Sequence, residues 1–179
     1  MNMTHTHTLF AVAAVLAFAV PASAQQVTKE AREGIKNFAR LETTVACAGA
    51  ITTDAMPEIK KMGFVSVVNL REAHEPGADV EKQEAAAKAV GLRYYHVPFN
   101  GAKPDPKAAD QFVKVISSKE ASPAFVHCAS ANRASAMWLI KRLVIDRWEV
   151  DRAVAEAEAL GLTNPALKEW ALEYARPDR

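Results

Sequence analysis

A cysteine and an arginine lie five positions apart, separated by four small or polar residues, in the segment Phe125-Val126-His127-Cys128-Ala129-Ser130-Ala131-Asn132-Arg133. The pattern predicts a buried strand ending at Cys128, a tight turn, and a helix opening at Arg133. Such a turn cradles an anion. Backbone N–H groups of Ala129, Ser130, Ala131 and Asn132 converge on one point, the helix N-terminus adds partial positive charge, and Arg133 offers a planar fork for two oxygens. The same field favours the thiolate form of Cys128, and a thiolate facing a bound oxyanion is a nucleophile aimed at phosphorus or sulfur. His127 is expected to orient the loop by hydrogen bonding through its ring, and Ser135 places a hydroxyl just beyond Arg133. Taken alone, Cys128 reads equally as an inert core cysteine, the ordinary fate of that residue. The adjoining His127, the small-residue turn and Arg133 decide for a functional loop.

The elements that must hold this loop follow from periodicity. Val27 to Ala39 reads as a mildly amphipathic helix and Leu41 to Ala46 as a first strand ending at Gly49. A short helix runs to Met62, and Phe64 to Leu70 is apolar enough for a central strand. Glu81 to Val90 is an Ala-rich helix, Leu92 to Val97 a third strand, and Lys107 to Ser118 a further helix after a Pro-containing loop. Ala124 to His127 is a short buried strand, and Asn132 to Arg147, Val150 to Leu160 and Pro165 to Tyr174 are helices. This alternation predicts an α/β fold with a central, mostly parallel sheet flanked by helices, the Cys-x4-Arg loop lying between the last strand and a helix. Ligands of such sheets bind beyond the carboxyl ends of the strands, which points to residues 47–50, 71–75, 98–105 and 128–133.

Composition narrows the function. Half of the 179 residues are hydrophobic, and 22 Lys and Arg against 21 Asp and Glu leave a net charge of +1, which argues against a nucleic-acid partner. Residues 1–24 contain no Lys, Arg, Asp or Glu, and the twelve apolar residues Leu9 to Val20 precede Pro21-Ala22-Ser23-Ala24-Gln25. Twelve residues rise roughly 18 Å as a helix, against a hydrocarbon core of about 30 Å. The segment therefore reads as a secretory signal peptide cleaved after Ala24. What remains, residues 25–179, is a near-neutral single domain expected in the periplasm or secreted, with no stable membrane insertion. Cys47 and Cys128 are its only cysteines, and no Cys/His cluster has metal-binding spacing, so no metal is expected.

The chain resembles the cysteine-dependent phosphatases of the dual-specificity tyrosine phosphatase fold, and more closely the beta-lactamase-hydrolase-like phosphatase domain family. The resemblance covers roughly Val45 to Leu160. It rests on Ala48-Gly49-Ala50-Ile51-Thr52, on Val67-Val68-Asn69-Leu70-Arg71 followed by Glu75, on Tyr94-Tyr95-His96-Val97-Pro98, and on the His127-Cys128 loop ending in Arg133. It implies a cofactor-free hydrolase of phosphate monoesters, acting on a phosphorylated protein or a small phosphate ester. Cys128 would attack the phosphoryl group, Arg133 and the loop amides would hold its oxygens, and water would hydrolyse the cysteinyl phosphate. The general acid would come from the loop after Val97. Asp105 is the better placed carboxylate there, with Asp110 expected inside a helix, although capping that helix explains Asp105 equally well.

Three features depart from this family picture or leave it open. The four-residue spacing is shared with rhodanese-type sulfurtransferases, in which Cys128 would carry a persulfide, but the chain has no Gly-His-Ile-Pro segment. Ala131 stands where the family has Gly, an exchange expected to restrict the loop to negative φ. Ala134 stands where a Ser or Thr hydroxyl follows the Arg, leaving Ser130, Asn132 or Ser135 to assist the leaving thiolate. These departures keep a non-catalytic phosphate- or sulfate-binding domain as a third reading. Arg71 and Glu75 either face substrate, or Arg71 forms a solvated pair with Glu72. Cys47 reads as a core residue, with a reversible bridge to Cys128 as its alternative, and Trp138, Trp148 and Trp170 read as packing residues.

Overall fold

The computed structural model describes residues 26–176. The expected signal peptide lies outside the described residues.

Strands β1 (Val27–Lys29), β2 (Ala39–Leu41), β3 (Val45–Ala48), β4 (Ser66–Asn69), β5 (Arg93–His96) and β6 (Ala124–His127) form one sheet in the order β1-β2-β3-β6-β4-β5. The pairs β3 with β6, β6 with β4 and β4 with β5 are parallel, the consecutive strands from β3 to β6 being joined through helical crossovers, whereas β1, β2 and β3 are antiparallel. Helices α1 (Met56–Lys61) and α2 (Val80–Ala89) cover one face. Helices α3 (Pro106–Ile116), α4 (Asn132–Val144), α5 (Val150–Ala159) and α6 (Pro165–Tyr174) cover the other.

Period-two alternation divides the two cores. Phe125 packs with Phe64, Ile59 and Met56 under α1 and α2. Val126 and Cys128 point the opposite way, toward Cys47, Met137 and Trp138. Each large apolar side chain fully buried this way contributes about 1.5–3 kcal/mol. Two helices that frame the site begin at side-chain caps followed by Pro at the first helical position. Asp105 accepts from the Lys107 amide at 2.9 Å, and Asn164 accepts from the amides of Ala166 and Leu167.

The amino-terminal region corrects the sequence reading. The expected helix from Val27 to Ala39 is instead β1, an irregular segment held by the bridges Arg32 to Ile35 and Ile35 to Ile51, and the start of β2. Ile35 and Phe38 are both buried, and their spacing of three mimics a helical face. Gly34 and Asn37 adopt positive φ, which an α-helix excludes. The expected strand Leu41 to Ala46 is likewise divided by a turn in which Thr44 N–H meets the Leu41 carbonyl and Glu42 has φ of 43°.

Candidate active site

The loop between β6 and α4 is shaped from outside, by the groups that take its carbonyls. Ala50 N–H donates to the Ala129 oxygen at 3.0 Å, Asn37 Nδ2 to the Ser130 oxygen at 3.3 Å, and Ser135 N–H to the Ala131 oxygen at 2.9 Å. With the carbonyls held there, the amides of Ala129 and Ser130 meet no protein acceptor among the described residues, and an antiparallel bridge sets Ser130 against Gly49. The first amides of α4 add to them, since a helix leaves its own N-terminal donors unpaired. Close approaches fix the loop on two sides. A Cβ on Gly49 would lie 3.0 Å from the Ala129 oxygen and 3.1 Å from Lys36 Cβ. A Cβ on Gly161, which has φ of 116°, would meet Ala131 Cβ at 3.2 Å. Asn132 Oδ1 ties the loop to the α5–α6 turn by accepting from the amides of Thr163 and Asn164 and from the Thr163 hydroxyl.

Ala131 has φ of 75°, so the expectation that Ala confines this loop to negative φ is wrong. The turn imposes the left-handed conformation that Gly adopts without cost, and Ala131 carries about 1–2 kcal/mol of strain to make it.

Cys128 sits at the base of the loop with no exposed surface, its amide bonded to the Ala48 carbonyl. The Arg133 guanidinium lies beside its sulfur and is 12% exposed. Nη1 and Nη2 of Arg133 donate to Oε1 and Oε2 of Glu75 at 2.6 and 2.8 Å, and Nη1 also reaches the Phe99 and Leu70 carbonyls. That leaves Nε–H and the second Nη2 hydrogen as the edge available to an oxyanion. Burial opposes the charge of Arg133, but Glu75 and the neighbouring Cys128 outweigh it and raise its pKa. Gly101 approaches the arginine stem closely, a Cβ there falling 3.3 Å from Arg133 Cγ.

Glu75 is the residue whose role the sequence did not disclose, because its partner lies 58 positions away. Burial works against its ionisation. Bonds from Arg133, from the Glu72 amide and from Arg71 prevail and pull its pKa down to about 2. Arg71 does not pair with Glu72. It is buried, and its guanidinium donates to Glu75 Oε2, Pro76 O and Gly77 O, closing the turn that presents Glu75. Glu72 instead accepts from Asn100 Nδ2 at 3.0 Å, joining this turn to the loop after β5.

His127 corrects another expectation. Neither ring nitrogen has a well-formed hydrogen bond, and the ring is wholly buried. Burial first, then the charges of Arg71 and Arg133, push its pKa down to about 3 and keep it neutral. It lies on the opposite face of β6 from Cys128, beside the positions of Ala48 and Asn69. Asn69 Nδ2 meets Tyr94 Oη at 2.8 Å, and its Oδ1 accepts the Arg71 amide. Ser135 donates its hydroxyl proton to the Leu160 carbonyl at 2.9 Å. With Asn132 Oδ1 also occupied, Ser130, which is exposed, remains as a hydroxyl at the loop rim. Asp105 lies exposed at the N-terminus of α3, with Oδ1 held by the Lys107 amide. Asp110 lies within α3 and accepts from the Tyr174 hydroxyl.

Cys47 and Cys128 are both unbridged and buried. Parallel register sets Cys47 opposite Val126, two residues short of Cys128, a diagonal relation wider than a disulfide tolerates. Burial raises the Cys47 thiol far above its ordinary range, against the neighbouring Ser135 hydroxyl, so it behaves as a core residue.

Residues 37–144 match the family described as beta-lactamase hydrolase-like protein, phosphatase-like domain. The chain belongs to this family. A beta-lactamase hydrolase-like protein of Xylella fastidiosa is 33% identical over 121 residues, which cover 65% of this chain and 26% of that protein, so the match spans about a quarter of the relative's length. The fold is that of the tyrosine-phosphatase-like proteins. TpbA of P. aeruginosa superposes with a TM-score of 0.62 at 16% identity, over 88% of this chain and 92% of that one. The core catalytic domain of the PP-IP phosphatase SIW14 from S. cerevisiae gives 0.62 at 12% identity, over 78% and 85%. Membership in the family and this fold agree on a phosphatase-like domain with a mixed, mostly parallel sheet.

Proposed function

We propose that this protein is a phosphatase of phosphate monoesters that works through a cysteinyl-phosphate intermediate on Cys128. The observation that carries the reading is the loop whose Ala129 and Ser130 carbonyls are taken by the outside donors Ala50 and Asn37, which frees its amides, together with the Arg133 guanidinium beside Cys128. A phosphoryl group bound there has its non-bridging oxygens on the amides of Ala129–Asn132 and on Arg133. Cys128 Sγ forms the S–P bond as the ester P–O bond breaks, and the departing oxygen takes a proton. Water then attacks phosphorus, the S–P bond breaks, and the thiolate returns with release of inorganic phosphate. Glu75 holds Arg133 from behind, so that the guanidinium is already oriented when the anion arrives. Asp105, at the entrance to α3, is the carboxyl group proposed to protonate the leaving oxygen.

Phosphate monoesters as substrates gain support from a solved form of TpbA that carries phosphotyrosine. Export belongs to the same proposal, because the uncharged, apolar residues 1–24 end in an Ala-Ser-Ala cleavage pattern. The amino terminus of protein recovered from outside the cytoplasm tests it: Gln25 supports the proposal and Met1 contradicts it.

A second reading, anion binding without turnover, is favoured by the complete burial of Cys128 together with Ala134 in place of a hydroxyl. Hydrolysis of p-nitrophenyl phosphate by the reduced protein, beside Cys128→Ser, separates the two. Turnover abolished by the substitution establishes the phosphatase. Equal phosphate binding by both proteins, with turnover by neither, establishes the binding domain.

A further inference from the structure

Beside the anion loop runs a groove of about 790 Å³ that the chemistry above leaves without a role. The loop itself forms one wall through Ser130–Asn132, and Lys29 and Ala31 form the other, while Phe38 and Leu160 contribute apolar surface. This volume falls in the range of sites that enclose whole ligands, about 300–1,000 Å³, and exceeds what a phosphate and one ring require.

The geometry points to a recognition groove for the polypeptide that carries the phosphorylated residue, a proposal that rests on the phosphatase reading. Continuity is the first argument. The groove and the anion loop share Ser130, Ala131 and Asn132, so a chain whose phosphate sits on the loop amides borders the groove. The second is the open polar complement. The Ser130 hydroxyl and Asn132 Nδ2 meet no partner among the described residues, so both are available to a peptide backbone. The third is the shape of the far wall. Lys29 ends β1 in register with Ala39 of β2, and both line the groove, which therefore runs along the face of this strand pair as an extended peptide would.

Charge then narrows the class of peptide. Arg32, which also lines the groove, is already matched by Glu30 at 2.7 Å and Glu58 at 2.8 Å. No carboxylate meets Lys29 among the described residues. Apolar surface from Ile35, Phe38 and Leu160 beside the Lys29 ammonium, with the neighbouring Glu30 committed to Arg32, fits a segment with an apolar side chain and a carboxylate close to the phosphorylated residue.

Binding to full-length Cys128→Ser tests this without requiring turnover. The probes are free phosphotyrosine and two phosphotyrosyl heptapeptides, one with Leu and Glu before the phosphotyrosine and one with them after it. One of the peptides is expected to bind at least tenfold more tightly than phosphotyrosine. Adding Ala31→Trp, an exchange at an exposed rim position, is expected to remove that advantage, and adding Lys29→Glu to reduce it at least fivefold. Phosphotyrosine binding without any gain from either peptide overturns the groove and leaves the anion loop standing. A gain that survives both substitutions also overturns it. Failure of all three probes to bind overturns the anion loop and the groove together.

Discussion

The two ends of α4 carry the same pairing and put it to opposite uses. At the N-terminal end, Arg133 holds Glu75 with two guanidinium nitrogens, lies beside a cysteine, and keeps one donor edge toward a loop of unpartnered amides. Near the C-terminal end, Arg142 holds Glu156 through Nε and Nη2 at 2.6 and 3.2 Å and Asp146 through Nη1 at 2.8 Å. Its guanidinium also lies over the rings of Trp138 and Trp148, 4.7 and 3.9 Å from their centroids. Trp138 Nε1 donates to the same Glu156 oxygen at 2.7 Å. Arg142 is enclosed by acceptors and aromatic faces, so removing it takes away structure. Arg133 has its back occupied and one edge open, so under the proposed function removing it takes away a binding site. Available donors, and not burial or the presence of an ion pair, distinguish a functional arginine from a structural one here.

Substitutions can break this contrast, and the largest effect is expected at the open end. Arg133→Ala lowers kcat/KM for an aryl phosphate by about 10³-fold, the cost of losing oriented donors to the transition-state oxygens. Thermal unfolding measured alongside separates this from a loss of folded protein. Arg142→Ala does the reverse. It leaves the buried Glu156 carboxylate without a counter-charge, held only by Trp138 Nε1, and costs about 3–5 kcal/mol in urea unfolding, while kcat/KM of the remaining folded protein stays within about twofold. Equal losses of stability and activity in both variants would erase the distinction. Glu75→Gln should fall between them, with about a tenfold to hundredfold loss in kcat/KM as Arg133 loses its fixed orientation.

Smaller effects sharpen the description of the loop. His127 is neutral in the fold, with its pKa near 3, and titrates at its ordinary 6.5 when unfolded. The unfolded chain therefore binds the extra proton first, and His127 makes stability fall as pH drops from about 6.5 toward 3. Urea unfolding between these limits should show that slope, and His127→Leu should flatten it. Ala131→Gly releases the left-handed strain but adds freedom to the unfolded chain, so a net gain of roughly 0.5–1 kcal/mol is expected. A loss of stability would show that the observed φ is not strained.

Sequence patterns disclosed what local rules control. The strand Ala124–His127, the turn after it and the helix opening at Asn132 follow from an apolar run, small residues and helix periodicity within one short segment. The family resemblance, spread over four such segments, led to the fold. The amino-terminal region was misread because Ile35 and Phe38 are spaced as on a helix, yet are buried by bridges to distant residues, one of them reaching Ile51. Within the site, the roles of Glu75 and Arg71 were hidden for a related reason. Each depends on a turn or partner that only the assembled sheet brings together, and a charged residue after a strand looks the same in sequence whether solvent or an arginine receives it. The positive φ of Ala131 was also hidden, since residue type predicts conformation only until tertiary contacts overrule it.

The central claim is that Cys128 becomes covalently phosphorylated during turnover. Its most direct test is acid-quench mass spectrometry of the reduced full-length protein, mixed for milliseconds to seconds with p-nitrophenyl phosphate and digested at low pH. The account predicts a phosphate adduct on the peptide containing Cys128, appearing with the first equivalent of p-nitrophenol and absent from Cys128→Ser. Because Ala134 offers no hydroxyl to the departing thiolate, the adduct should persist longer in the parent protein than in Ala134→Ser. Steady release of p-nitrophenol with no adduct at any time, or release that continues in Cys128→Ser, would contradict it.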